Sequence, residues 1–207
     1  MGKITDVTYD KQYIEIAVDG VRYTRMTKSE FRQIQLSVGD HIDEAALTER
    51  LNAIQLPRAY EAALSILDRR DVTVKGMQTA LARRVFHTDI ISAVIQRLTE
   101  NGLLDDNRFA ERYVETHAGG AYGQYAIRQK LLAKGIDSET ASDALSELDE
   151  IVQLEGAVAR AEKLKQRYAG ASAYEKRGKI AQALSRRGYA WDIIEQALGN
   201  IDLDDES

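Results

Sequence analysis

The stretch Asn101-Gly102-Leu103-Leu104-Asp105-Asp106-Asn107-Arg108-Phe109-Ala110, near the middle of a 207-residue chain, reads as a helix end, a sharp reversal and a helix start. Gly102 can take the left-handed backbone conformation that ends a helix, and Leu103 can then fold back onto that helix. Asp105 and Asp106 can accept hydrogen bonds from the free N–H groups of a following helix, whose apolar side begins at Phe109 and Ala110. Capping accounts for both acids; contact with a partner is the other reading. A joint of this kind separates two units.

Outward from this joint, residues 58 onward contain no proline and almost entirely helical periodicity. They also resemble one another. Leu81, Leu131 and Leu184 fall in register at offsets of 50 and 53 residues. Arg84, Lys134 and Arg187 then coincide, followed by Phe86, Ile136 and Tyr189, and by Asp89, Glu139 and Asp192. Ile91, Ala141 and Ile194 follow, then Ile95, Leu145 and Leu198. Such a period is the mark of a repeat architecture. The leucines are core knobs, and the basic residues sit in last turns, where the helix dipole favours cations. Gly135 and Gly188 are helix stops. Val85 holds the glycine position in the first repeat; a β-branched residue is strained in the left-handed region, so that turn is expected to differ.

An earlier helix completes each unit: Glu61 to Arg69, Arg108 to Thr116 and Glu155 to Arg167. The expected fold is mostly α: three tandem three-helix repeats in an elongated, curved array, preceded by a small β-containing N-terminal domain. One such unit buries little apolar surface alone, so neighbours should stack. The predicted divisions are 1–57 for the N-terminal domain, 58–104, 105–149 and 150–200 for the repeats, and 201–207 for a frayed acidic tail.

The first part has its own grammar. Tyr13 to Val18 and Val21 to Met26 flank Asp19-Gly20, a preferred two-residue hairpin turn. Ile4 to Thr8 adds a third strand. Ser29 is the expected cap of a short helix through Phe31 and Ile34. Ser37 to Ile42 reads as a turn into a brief strand, and Asp43 as the cap of a helix from Glu44 to Ile54. Pro57, the single proline, is read as a helix break and domain border.

Composition limits the function classes. Apolar and charged fractions of 44% and 29% are those of an ordinary folded protein. No apolar run reaches the ~18 residues of a membrane span, and the N-terminus lacks a signal core, so no membrane association is expected. Cysteine is absent, which excludes disulfides and Cys-ligated metal and points to a cytoplasmic location. The net charge of −5 argues against coating duplex DNA through bulk charge.

No catalytic constellation is present, and no cofactor is expected. Gly178-Lys179-Ile180 lacks the Ser/Thr and the upstream glycine of a phosphate loop. His41, His87 and His117 are far apart, without metal-ligand spacing. Gly119-Gly120-Ala121-Tyr122-Gly123 reads as a flexible turn. The basic residues carry more information. Segment 58–104 has seven basic and five acidic residues, 105–149 five and nine, and 150–200 nine and six. Arg83-Arg84 and Arg186-Arg187 occupy equivalent positions, with Arg128, Lys130 and Lys134 near that register and Lys179 in the third repeat. These can line a face toward an acidic protein groove or DNA phosphates, or be solvated helix-end charges worth a few tenths of a kcal/mol each. Tyr113, Tyr125, Tyr168, Tyr189 and Trp191 are either bases' stacking partners or, at helical spacing, core and core-edge residues.

The joint Gly102-Leu103-Leu104-Asp105-Asp106 with Phe109-Ala110, and the run Gly123-x3-Ile127-x3-Leu131-x2-Lys134-Gly135-Ile136, resemble the RecX family of bacterial regulators. The resemblance covers about residues 58 to 200, and the leading β domain is similar to the extension of longer members. Two places depart from the family pattern: Val85-Phe86 replaces Gly-apolar, and Gly119 to Tyr122 lacks the usual basic residue. The resemblance implies a regulator of RecA, the recombinase that polymerises on single-stranded DNA, in DNA repair and recombination. It implies binding along the RecA filament groove, bridging protomers and restraining ATP hydrolysis, strand exchange and filament growth. A helix of about 15 residues spans about 22 Å, so stacked repeats suit that role. Several weak patches along a groove also gain from effective concentration. The expected partners are the RecA filament and, in part, single-stranded DNA, with the chain a monomer. The alternatives are a helical nucleic-acid-binding module independent of RecA, and a scaffold for another protein.

Overall fold

A computed structural model describes residues 1–120 and 122–203. The chain divides into two compact units, Met1–Asp105 and Asp106–Ser207.

In the first unit, β1 (Gly2–Tyr9), β2 (Ile14–Val18), β3 (Val21–Met26) and β4 (His41–Ile42) form an antiparallel sheet in the order β3-β2-β1-β4. The Asp19-Gly20 turn has φ of 48° and 81°, the positive pair that a two-residue hairpin requires. Alternation puts Ile4, Ile14, Ile16 and Val18 on one buried face, closed by Ile34 of α1 (Lys28–Ile34). The cap of α1 is Thr27 rather than Ser29. Its hydroxyl accepts from the Glu30 N–H while the Glu30 carboxylate accepts from the Thr27 N–H. This reciprocal box satisfies two orphan donors, which Ser29 could not do from inside the helix.

The expected break at Pro57 is absent. One helix, α2, runs Glu44–Leu67, started by Asp43 and passing straight through the proline. Leu47 and Leu51 close the sheet's core, whereas Ala59, Ala63 and Ile66 belong to the core of the first repeat. Buried Leu51, Gln55, Ala59 and Ala63 recur every four residues across Pro57. A continuous buried stripe therefore outweighs the roughly 3 kcal/mol that an interior proline costs.

The first repeat is completed by α3 (Val74–Ala82) and α4 (Thr88–Glu100). Thr73 caps α3 through the Gly76 N–H at 3.0 Å. Val85 brings a second correction: its φ is +66°, beside +92° at Gly135 and +80° at Gly188. The turn has the same left-handed conformation despite the β-branched side chain.

At the joint, Gly102 has φ of 65° and the N–H groups of Leu103 and Leu104 both donate to the Leu98 carbonyl. Leu104, 1% exposed, folds back into the core; Leu103, at 44%, does not. Asp105 precedes α5 (Asp106–His117).

The second unit holds α5, α6 (Gln124–Ala133) and α7 (Ser138–Ser146), then α8 (Glu150–Arg167), α9 (Ala173–Ser185) and α10 (Trp191–Gly199). Leu81, Leu131 and Leu184 are each fully buried, as their register predicts. A knob of this kind is worth about 2–5 kcal/mol against truncation to alanine. Ile136 and Tyr189 fold back after their glycines, and Asp89, Glu139 and Asp192 lie in first turns.

The two ends of the stretch read as a flexible turn, Gly119 and Gly123, are packed instead. Gly123 donates its N–H to the Arg187 carbonyl at 2.9 Å, and Tyr125 donates to the Gly188 carbonyl at 3.0 Å. A Cβ on Gly123 would lie 2.3 Å from the Gly188 oxygen, and one on Gly156 only 2.7 Å from the Gly119 carbonyl carbon. Backbone approaches backbone here, so the second and third repeats share a seam. Ala121 lies outside the described residues, as do 204–207 of the expected tail. The preceding part of that tail is held: Ile201 is buried, and Lys176 Nζ donates to the Leu203 carbonyl at 3.5 Å.

Candidate partner-binding surfaces

The basic residues singled out by register do not share one environment. Arg83 and Arg84 lie just past the end of α3 rather than in its last turn, exposed, with Arg84 reaching the Ala62 carbonyl at 3.5 Å. In the second unit, Arg128 is occupied within its own repeat, donating to Ser138 Oγ at 2.6 Å. Lys130 on α6 and Lys134 just past its end lie one turn apart, on the other side. Lys130 Nζ sits 4.2 Å from the Tyr122 ring centroid, and Lys134 Nζ 5.3 Å from that of Tyr113 and 5.7 Å from that of Phe109. Phe109, Tyr113 and His117 stack in turn along α5, with the last pair 3.9 Å apart. These lysines top a row of aromatic rings and are partly committed to it.

Arg186 and Arg187 occupy the turn that docks on the start of α6, where the Arg187 carbonyl receives the Gly123 N–H. The seam thus fixes where this pair stands relative to α6. Tyr189 follows them, buried, its hydroxyl donating to the Gly120 carbonyl at 3.1 Å. Burial raises the Tyr189 pKa, with the Arg187 and Arg160 charges acting in opposition. Gln153 Oε1 accepts from the Gln124 N–H at 3.0 Å and completes the seam.

Among the aromatics, Tyr189 is core and Tyr113 and Tyr168 are half-buried, while Tyr125 and Trp191 are exposed. Sequence reasoning missed Tyr174. It is 88% exposed at the start of α9 and, with Trp191 at 62%, borders a hollow of about 590 Å³ between α9 and α10. Arg177 and Lys179 also line it, and Lys179 Nζ is 5.8 Å from the Tyr168 ring centroid. The available signal was position: both aromatics open successive helices, off the apolar register that Ile180, Leu184, Ile194 and Leu198 follow.

Among the described residues no group of three or more His, Asp or Glu side chains could hold a metal ion, and no helix is long and apolar enough to cross a membrane. His87 caps α4, its Nδ1 lying 3.4 Å from the Asp89 nitrogen.

Family models match three segments in order: the first, second and third three-helix domains of RecX, over residues 59–98, 105–145 and 152–198. The chain is 30% identical over 205 residues to the regulatory protein RecX of Clostridioides difficile strain 630, across 97% of this chain and 96% of that one. A crystal structure of regulatory protein RecX matches 97% of this chain and 100% of its own, with TM-score 0.69 and 26% identity. The crystal structure of RecX from Lactobacillus salivarius matches 73% of this chain and 99% of its own, with TM-score 0.67 and 35% identity.

Proposed function

The chain belongs to the RecX family of regulatory proteins, and on that premise we propose that it regulates RecA by binding along the groove of the RecA filament. The observation that carries this reading is the extent of the relationship, which spans the β domain and all three repeats rather than one shared module. The proposed action is non-enzymatic: a cytoplasmic monomer engages the filament through several patches and restrains ATP hydrolysis, strand exchange and extension. Patches on separate repeats reinforce one another, because each contact made raises the effective concentration of the next. Arg83, Arg84, Arg128, Lys130, Lys134, Lys179, Arg186 and Arg187 are proposed contacts to acidic protein surface or DNA phosphate. Arg83, Arg84, Lys179 and Arg186 are exposed and so the best placed of these, whereas Arg128 and Lys130 are half-buried against partners within their repeat.

Titrating the purified chain into RecA on single-stranded DNA tests the proposal. ATPase should fall and saturate at or below a stoichiometric ratio. An unchanged rate at excess, with the chain folded by circular dichroism, rejects it. A second reading, single-stranded nucleic-acid binding without RecA, is favoured by Tyr174 and Trp191 beside Arg177 and Lys179. Exposed rings near cations can stack bases while phosphates are neutralised. It requires salt-sensitive binding of a bare oligonucleotide that weakens on Trp191→Ala and on joint Arg186→Ala and Arg187→Ala substitution.

A further inference from the structure

We infer that the groove between α5 and α7 receives a basic amphipathic helix from a protein partner. The groove encloses about 880 Å³ and continues to the start of α8. Val114, Ala118, Ala144, Leu148 and Val152 supply its apolar lining. Glu111, Glu115, Asp143 and Glu147 stand exposed along its rim, and among the described residues no Lys, Arg or His lines it. Among the described residues no ion pair engages these four carboxylates. Asp149, the fifth acid, is explained by capping α8 through the Ile151 N–H at 2.8 Å. The second repeat carries nine acidic residues against five basic ones, in a chain whose neighbouring repeats have basic excess. Like charges gathered around apolar surface repel one another; a cationic occupant removes that repulsion.

The shape selects the occupant's conformation. Lining positions run from Asn107 on α5 to Ala118 just past its end, eleven steps or about 16 Å, roughly three helical turns. Both walls are helical, and the described part of this unit contains no strand, so no sheet edge offers hydrogen bonds to an extended peptide. A helix satisfies its own backbone and needs only apolar anchors at i, i+3, i+4 and i+7, with Lys or Arg flanking them toward the rim. Nucleic acid is the wrong ligand, because its phosphates would face the carboxylates. A metal ion is equally poor, since no ligating cluster is present among the described residues.

This inference rests on the reading that the chain acts through a protein partner, and one set of variants separates the two. The full chain and its Glu111→Gln, Glu115→Gln, Asp143→Asn, Glu147→Gln variant, matched for fold by circular dichroism, are titrated with a labelled 18-residue Leu/Lys peptide of helical period. A control peptide replaces each Leu by Ser. Binding should weaken at least about tenfold in the variant, and also for the control peptide, and should weaken as salt rises. Peptide binding that is absent, or equal in variant and parent, overturns the groove. So does equal binding of the Ser peptide, which would leave charge alone, or binding that depends on self-association in sedimentation, which would make a second copy the occupant. The RecA ATPase titration is then run with both proteins. Full inhibition by the variant overturns the groove as a RecA contact and keeps the RecA reading. Groove-dependent peptide binding with no ATPase effect from the parent does the reverse.

Discussion

Val85 shows how a single residue is overruled by its surroundings. In the left-handed region an L-residue costs roughly 1–2 kcal/mol, and a β-branched one sits at the upper end. The turn forms regardless, because Leu81 before it and Ile90 after it are both buried in the same core, and only a reversal lets both reach it. Repacking two such side chains would cost more than the strain. Glycine at this position, as at 135 and 188, relieves the strain but is itself more costly to order by about 0.5–1 kcal/mol. Val85→Gly should therefore raise stability by about 0.5–1 kcal/mol, read as a higher urea midpoint at unchanged slope. A lower midpoint would mean that contacts of the half-buried isopropyl group outweigh the strain. The same scale explains Leu103 and Leu104. Sequence assigns the fold-back after Gly102 to Leu103, but Leu104 follows it, and only the path of the chain decides which of the two leucines enters the core.

Elements were legible where the signal is local. The hairpin at Asp19-Gly20, the Asp43 cap and the glycine stops of α6 and α9 all follow from backbone preferences of a few residues. What escaped was set by contacts distant in sequence. Pro57 is a breaker locally, yet α2 joins two cores, and a polar cluster surrounds the crossing. Buried Glu30 ion-pairs with Arg58, and Gln55 accepts from the His87 N–H at 3.1 Å. Gly123 is the converse case. Glycine before a helix suggests freedom, but its φ of −81° needs no glycine; the requirement comes from the Gly188 backbone, 65 residues on. The candidate site was half legible for the same reason. Register found the arginine pairs, but not that Arg128, Lys130 and Lys134 have local partners, nor that acids of α5 and of α7 with its C-cap meet around one groove. Gly123→Ala is expected to cost about 1–3 kcal/mol by overpacking the seam. Faster amide exchange at Tyr125, whose N–H donates to Gly188, should accompany the loss, with the α5 core spared. Equal loss of protection throughout the repeat would instead show general unfolding.

At the scale of the whole chain, the division into Met1–Asp105 and Asp106–Ser207 predicts where it can be cut. The proposed repeat borders after residues 104 and 149 fall between helices, at Asp105 before α5 and Asp149 before α8. The proposed border after residue 57 cuts through α2. A chain beginning at Arg58 would remove the first half of that helix, the Glu30 partner of Arg58 and the Gln55 side-chain oxygen that accepts the His87 N–H. It would also begin a helix at the edge of a core that needs Ala59, Ala63 and Ile66 held in place. Fragments 1–105 and 106–207 each retain whole cores, the first comprising the sheet and repeat one, the second repeats two and three with their shared seam. Both should unfold cooperatively in urea, with slopes scaling with their size, whereas a 58–207 chain should show a second, early transition from a loosened first repeat. A single cooperative transition for 58–207, at the full-length midpoint, would mean that α2 from Arg58 onward needs neither the sheet nor the polar cluster at Pro57. In that case Pro57 is the domain border after all, and the continuity of α2 adds nothing to the stability of the repeats.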